Sequence, residues 1–138
     1  MIYLLDTNTC IRFMNGRSEA VREKIESYQA NELALCAIVK AELFYGALKS
    51  QRVQENLEKV RTFTNAFISF PFDDQAAVEY AEIRSQLERR GLPIGPNDLL
   101  IAAIAKAQNA VLVTHNRREF DRVDGLQIED WEAPDRSN

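Results

Sequence analysis

Short apolar runs alternate with helix-period stretches along the whole chain, and this alternation restricts the fold more than any other feature. Segments 2–5, 33–36, 67–72 and 110–114 read as buried strands, with 126–129 as a weaker fifth. Between them lie helical patterns. Val21, Ile25 and Tyr28 follow i, i+4, i+7 spacing behind Ser18, a good N-cap. Val53, Leu57 and Val60 repeat that spacing, and Ala76, Tyr80, Ile83 and Leu87 carry it through three turns. Segment 99–107 is apolar on nearly every side except Lys106, the mark of a helix buried over most of its surface. Strands separated by helices give a mainly parallel sheet with right-handed crossovers and helices on both faces.

The 138 residues suit one domain, 1–138, large enough to hold a core without a disulfide or metal staple. No apolar run approaches the ~18 residues of a membrane span. The opening Met1-Ile2-Tyr3-Leu4-Leu5-Asp6 lacks a basic region and stops at an acid, unlike a signal peptide. Cys10 and Cys36 both lie in apolar settings, so we expect two buried thiols and a reducing, cytoplasmic location. Lys and Arg number 17 against 21 Asp and Glu, a net charge of −4. Such a chain has no global basic field to recruit nucleic acid. A polyanionic substrate would require local arginines, a bound cation, or both.

In an open parallel sheet, ligands bind beyond the carboxyl ends of the strands, where the strand order reverses. Polar groups just after strands are therefore the candidates. Asp6 follows the first strand, with Thr7 and Asn8 behind it; the alternative role for Asp6 is a helix N-cap. On a helix over 37–49, Ile38, Val39, Leu43, Tyr45 and Leu48 form an apolar arc, and Glu42 falls inside it. A carboxylate there is costly unless paired, for example with Lys49, or bound to a metal. Asp98 closes a stiff Gly/Pro loop, 91–97, and opens the apolar helix; capping is again the alternative. After the fourth strand come Thr114, His115, Asn116, Arg117, Arg118 and Glu119, of which Thr114, Asn116 and Glu119 can face one crevice. His115, the single histidine, reads as a solvated loop residue and supports no zinc site. Asp73 and Asp74 read as caps.

Convergence of three or four carboxylates on one sheet edge exceeds what capping explains. An oxygen-rich, histidine-free cluster suits Mg²⁺ or Mn²⁺, which prefer carboxylate and water and leave positions for phosphate. A bound cation would also reverse the local charge.

These residues resemble a known family. The apolar strand before Asp6-Thr7-Asn8, then Ala41-Glu42-Leu43 with Gly46, then Gly91-x-Pro93-Ile94-Gly95 with Asp98, Ile101 and Ala102, then Val113-Thr114, Asn116, Glu119 and Phe120 are similar to the PIN domain. Within it, the chain is most similar to the VapC toxins of bacterial type II toxin–antitoxin pairs. The resemblance implies a three-layer α/β/α sandwich with a five-stranded, mainly parallel sheet. It also implies a Mg²⁺-dependent endoribonuclease, with Mn²⁺ as an alternative ion, that cuts structured RNA such as a tRNA anticodon stem-loop.

By the same resemblance, the metal-site acids fall on Asp6, Glu42 and Asp98. The family's fourth acid position is Asn116 here, and Glu119 is the nearest acid that can replace it. Thr7, Asn8, Thr114, Asn116 and Arg117 are then candidates for holding substrate phosphates, with Arg12, Arg17, Arg118 and Arg122 as further cations. The implied partners are a VapB-type antitoxin and a second copy of the chain, the latter across apolar positions in 45–57. An acidic pocket would be occluded by a basic antitoxin segment, with an arginine among Asp6, Glu42 and Asp98.

Two other readings compete. A haloacid-dehalogenase-like phosphatase would use Asp6 as nucleophile, but the second acid it needs two residues later is Asn8. A non-cutting PIN fold that binds RNA or a partner would have no need of three costly acids.

Overall fold

In a computed structural model of the chain, which describes residues 1–132, the alternation resolves into one five-stranded parallel sheet. The strands are β1 (Tyr3–Leu5), β2 (Leu33–Cys36), β3 (Ile68–Phe70), β4 (Val111–Val113) and β5 (Ile128–Glu129). Their order is β3-β2-β1-β4-β5, so the sheet grows outward in both directions from β1 and reverses between β1 and β4. Leu4 sits opposite Ala34 on one side and Leu112 on the other. All three are fully buried, as a central parallel strand covered on both faces requires. The expected sandwich of a parallel sheet with flanking helices is what the chain forms. The single-domain reading of 1–138 extends over 133–138, which lie outside the described residues.

Among the described residues, seven α-helices surround the sheet: α1 (Thr7–Met14), α2 (Glu19–Ser27), α3 (Ala37–Leu48), α4 (Val53–Thr64), α5 (Asp74–Arg89), α6 (Pro96–Ala107) and α7 (Arg117–Phe120). Three of them are capped where the chain has a short polar residue after an extended one. Asp6, Ser18 and Asp73 each accept from the backbone N–H three residues on, at 2.8, 3.2 and 2.9 Å. Asp73 thus performs the capping role its position suggests. Asp73→Ala should lower stability by about 1 kcal/mol in denaturant unfolding.

Three local expectations are corrected. First, α2 ends at Ser27, and Tyr28 leaves it in extended conformation. Its ring packs instead against Tyr3 and Trp131, at centroid distances of 4.7 and 5.5 Å, fastening the segment after β5 to the sheet. Second, α6 begins at Pro96, so Asp98 lies inside the first turn rather than capping it; Gly95 occupies the N-cap with no side-chain cap bond. Third, the apolar arc on α3 is only partly covered. Val39 and Leu43 are buried, but Tyr45 is 64% and Leu48 58% exposed.

Cys10 and Cys36 are both buried free thiols, as their apolar settings suggest. No described helix is long and apolar enough to cross a membrane.

Candidate active site

The carboxyl ends of β1 and β4 lie side by side, and the break between them is the point at which a parallel sheet of this order opens a crevice. The Asp6 N–H bonds the Val113 carbonyl at 3.0 Å, so the first acid is tied to the end of β4 by the sheet itself. Asp6 is 5% exposed. Burial pushes its carboxyl above the ordinary range, and the charge of Glu42 adds to this; hydrogen bonds from Thr114 and Thr9 oppose it. Asp6 therefore caps α1 and also faces other acids.

Glu42 projects from the second turn of α3 and accepts a 2.7 Å hydrogen bond from the Thr7 hydroxyl. That bond joins α1 to α3 and answers what pairs this acid. Lys49 does not; its ammonium lies over the Tyr45 ring, 5.2 Å from the centroid. Half-buried Asp98 is the acid most affected by its neighbours. Burial, a hydrogen bond with Glu119, and the charges of Glu119, Asp6 and Glu42 push its pKa up to about 7. Glu119, on α7, is displaced the other way: the hydrogen bond with Asp98 comes first, with Asn116, the Gly95 N–H and Arg122 assisting. The pair shares one proton, held mostly by Asp98. Asp6, Glu42, Asp98 and Glu119, from four separate segments, thus act on one another across one crevice.

The remaining sequence candidates have more specific roles than phosphate binding. Thr114 is fully buried and closed to a substrate. Its hydroxyl oxygen accepts from the Asn116 N–H at 3.0 Å, and its side chain supports Asp6. Thr7 is occupied by Glu42, whereas Asn8 is exposed at the start of α1. The Asn116 amide donates toward Asp98 at 3.3 Å and Glu119 at 3.4 Å. Arg117 pairs with Asp121 at 3.5 Å, Arg12 with Glu132 at 2.8 Å, and Arg122 donates to the Pro93 carbonyl at 2.9 Å. That last bond ties the end of α7 to the loop that delivers Asp98.

His115 is not simply solvated. Its Nδ1 lies 3.0 Å from Asp130, and with Glu132 they form the group of three metal-type donors among the described residues whose ligand atoms all fall within 4.8 Å. The four crevice acids stand wider apart than that. The sequence by itself suggests no role for Asp130 and Glu132, although they follow the 126–129 strand much as Asp6 follows the first; that strand is the weakest signal of the five and is only two residues long.

Comparison with known proteins places this geometry. The PIN domain family model matches residues 3–126. The tRNA(fMet)-specific endonuclease VapC of Salmonella typhimurium is 40% identical over 129 residues, covering 94% of this chain and 97% of that protein. Ribonuclease VapC2 of Rickettsia felis is 41% identical over 133 residues, covering 96% and 99%. The solved structure of DNA-bound VapBC from Salmonella typhimurium superposes with a TM-score of 0.90 at 39% identity, over 95% of this chain and 98% of that one. The phosphatase alternative falls with this result. The chain belongs to the PIN-domain family and, within it, to the VapC ribonucleases.

Proposed function

We propose that the chain is the toxin of a toxin–antitoxin pair: a Mg²⁺-dependent endoribonuclease, active in the cytoplasm, that cuts a structured RNA. A tRNA anticodon stem-loop is the substrate class, and the relative named for tRNA(fMet) makes initiator tRNA the first to try. The observation that carries this reading is the convergence of Asp6, Glu42, Asp98 and Glu119 on one crevice, where burial first, then the hydrogen bond with Glu119 and the neighbouring charges, raise Asp98 to about 7. Acids held together at such cost fit a divalent cation, and with no histidine among them they fit a hard, oxygen-seeking one. Asp6, Glu42 and Asp98 would hold the ion, with Glu119 beside Asp98. A bound Mg²⁺ supplies charge neutralisation at the phosphate and a more acidic water.

The chain's own residues do the rest. Thr7 and Thr114 fix the rotamers of Glu42 and Asp6. Burial of Asp6 keeps bulk water from screening the site. The Asp98–Glu119 pair can take up a proton at a carboxylate oxygen close to the reacting phosphate. Arg117 and Arg118, on the short helix beside Glu119, are placed to steer the RNA backbone.

Solved relatives are VapBC complexes, and a VapB-type antitoxin is the expected inhibitor of this chain, entering the acidic crevice with a basic segment. Exposed Tyr45 and Leu48 on α3 offer apolar surface for a second copy.

The test is cleavage of total tRNA by the purified chain, with the ends mapped. Excess EDTA should abolish cutting, and Mg²⁺ or Mn²⁺ should restore it. Because water is the nucleophile, products should carry 5′-phosphates and a 2′-deoxy residue at the cut should be tolerated. Ends bearing 2′,3′-cyclic phosphate, or full activity in EDTA, would refute the reading.

A further inference from the structure

We propose that Asn116 is a positioning residue: one side-chain amide, donating to both Asp98 and Glu119, holds the two carboxylates as a preassembled pair for a cation. The second half of this statement rests on the metal-dependent reading above; the first does not.

The two acids come from different elements, α6 and α7, and meet through their own hydrogen bond and the Gly95 N–H, which bonds Glu119. Asp98 Oδ2 and Glu119 Oε2 both lie within reach of a single nitrogen, Asn116 Nδ2, at 3.3 and 3.4 Å. The same two oxygens face each other over Gly95, each 3.9 Å from where a Cβ there would stand. An asparagine side chain has two N–H donors at one end, so it can serve two acceptors at once without adding charge. Its carbonyl end turned toward two carboxylates would be repelled, which fixes the amide's orientation.

The support behind Asn116 is rigid. Its backbone N–H is bonded to the Thr114 hydroxyl at 3.0 Å, and Thr114 is completely buried at the end of β4. The strand that supports Asp6 therefore also sets the position of the Asp98–Glu119 pair. Partners of this kind, which orient metal-binding carboxylates without touching the metal, typically change affinity ~10–100-fold when removed.

Two variants separate this role from simple space filling. Asn116→Ala removes both donors. Asn116→Asp keeps the shape and the backbone bond to Thr114 but presents a third carboxylate to the other two. Each would be compared with the native chain by thermal melting in EDTA near neutral pH and by calorimetric titration with Mn²⁺. Asn116→Ala should bind Mn²⁺ about 10-fold more weakly. Asn116→Asp should melt below the native chain in EDTA, and Mn²⁺ should raise its melting temperature more than it raises the native one. A space-filling residue would leave Asn116→Asp native-like in EDTA, and that result, or native Mn²⁺ affinity in Asn116→Ala, overturns the proposal. Failure of the metal reading would show separately, as a native chain whose melt Mn²⁺ does not move; the clasp is then decided by the EDTA melts alone.

Discussion

Asp98→Asn should melt about 3–6 °C higher than the native chain in EDTA at about pH 8, while losing at least ~100-fold in RNA cleavage. In the native fold Asp98 is pushed up to about 7 by burial and by Glu119, Asp6 and Glu42. An acid raised in the folded state favours folding while it stays protonated. Stability at this site is therefore fully present below the ordinary carboxylate range and falls as pH rises from there through about 7. Above that point the carboxylate is ionised in both states, but only in the folded state is it half-buried and repelled. Asparagine removes the charge and keeps nearly the same shape. The group is only half-buried and shares its proton with Glu119, so solvent screening limits the gain to about 1–2 kcal/mol.

The same variant should lose most of the stabilisation that Mg²⁺ gives the native chain, because that shift is mass action through the site. Below about pH 3 the melting difference in EDTA should close, since Asp98 is then protonated in both states. The melts are read with Asp74→Asn as control, an exposed acid remote from the crevice. If Asp98→Asn melts lower than native at about pH 8 in EDTA yet still cuts RNA, Asp98 is a structural acid and leaves the site.

Phe120→Ala should cost about 3–5 kcal/mol in denaturant unfolding and should also impair cleavage. Phe120 is 1% exposed and is the only buried residue of α7, a helix of four residues. So short a helix has little stability of its own, and that ring is its one anchor in the core, beside the polar ties of Arg122 and Glu119 to the 93–95 loop. Glu119 precedes Phe120 directly, and the ring's loss removes the anchor that points Glu119 at Asp98. We expect raised Mg²⁺ to restore part of the activity, because the ion can recruit a displaced carboxylate. Arg118→Ala, two residues away and exposed, should stay within ~0.5 kcal/mol of native. A Phe120→Ala chain that is destabilised but fully active would show that α7 is not needed for cutting.

The sandwich was legible because β1, β2 and β4 are unbroken apolar runs separated by helical patterns, as strands of a parallel sheet covered on both faces are. The ends were less so. Capping stands as the alternative for Asp98 in the sequence because an acid before an apolar run often is a cap, but Pro96 is free to occupy the first turn and starts α6 two residues earlier. Which positions of the α3 arc are covered is not legible, because hydropathy cannot tell a core position from an exposed one; Tyr45 and Leu48 follow the helical period but face outward. His115 reads as solvated because its partner, Asp130, lies 15 residues on, beyond the reach of any local pattern.

By itself, then, the sequence determined the parallel α/β class and the four acids that follow strands or open helices, since both depend on local order along the chain. Whether those acids meet was decided by the strand order β3-β2-β1-β4-β5, which sets the end of β4 beside the end of β1. The hydrogen bonds that hold them, from Thr7 to Glu42 and from Asn116 to Asp98 and Glu119, span 35, 18 and 3 residues. The longer two join elements that no local pattern relates. They exist because burying the sheet on both faces forces those elements together at one edge, and like charges brought that close must then be met by donors, a shared proton or a cation.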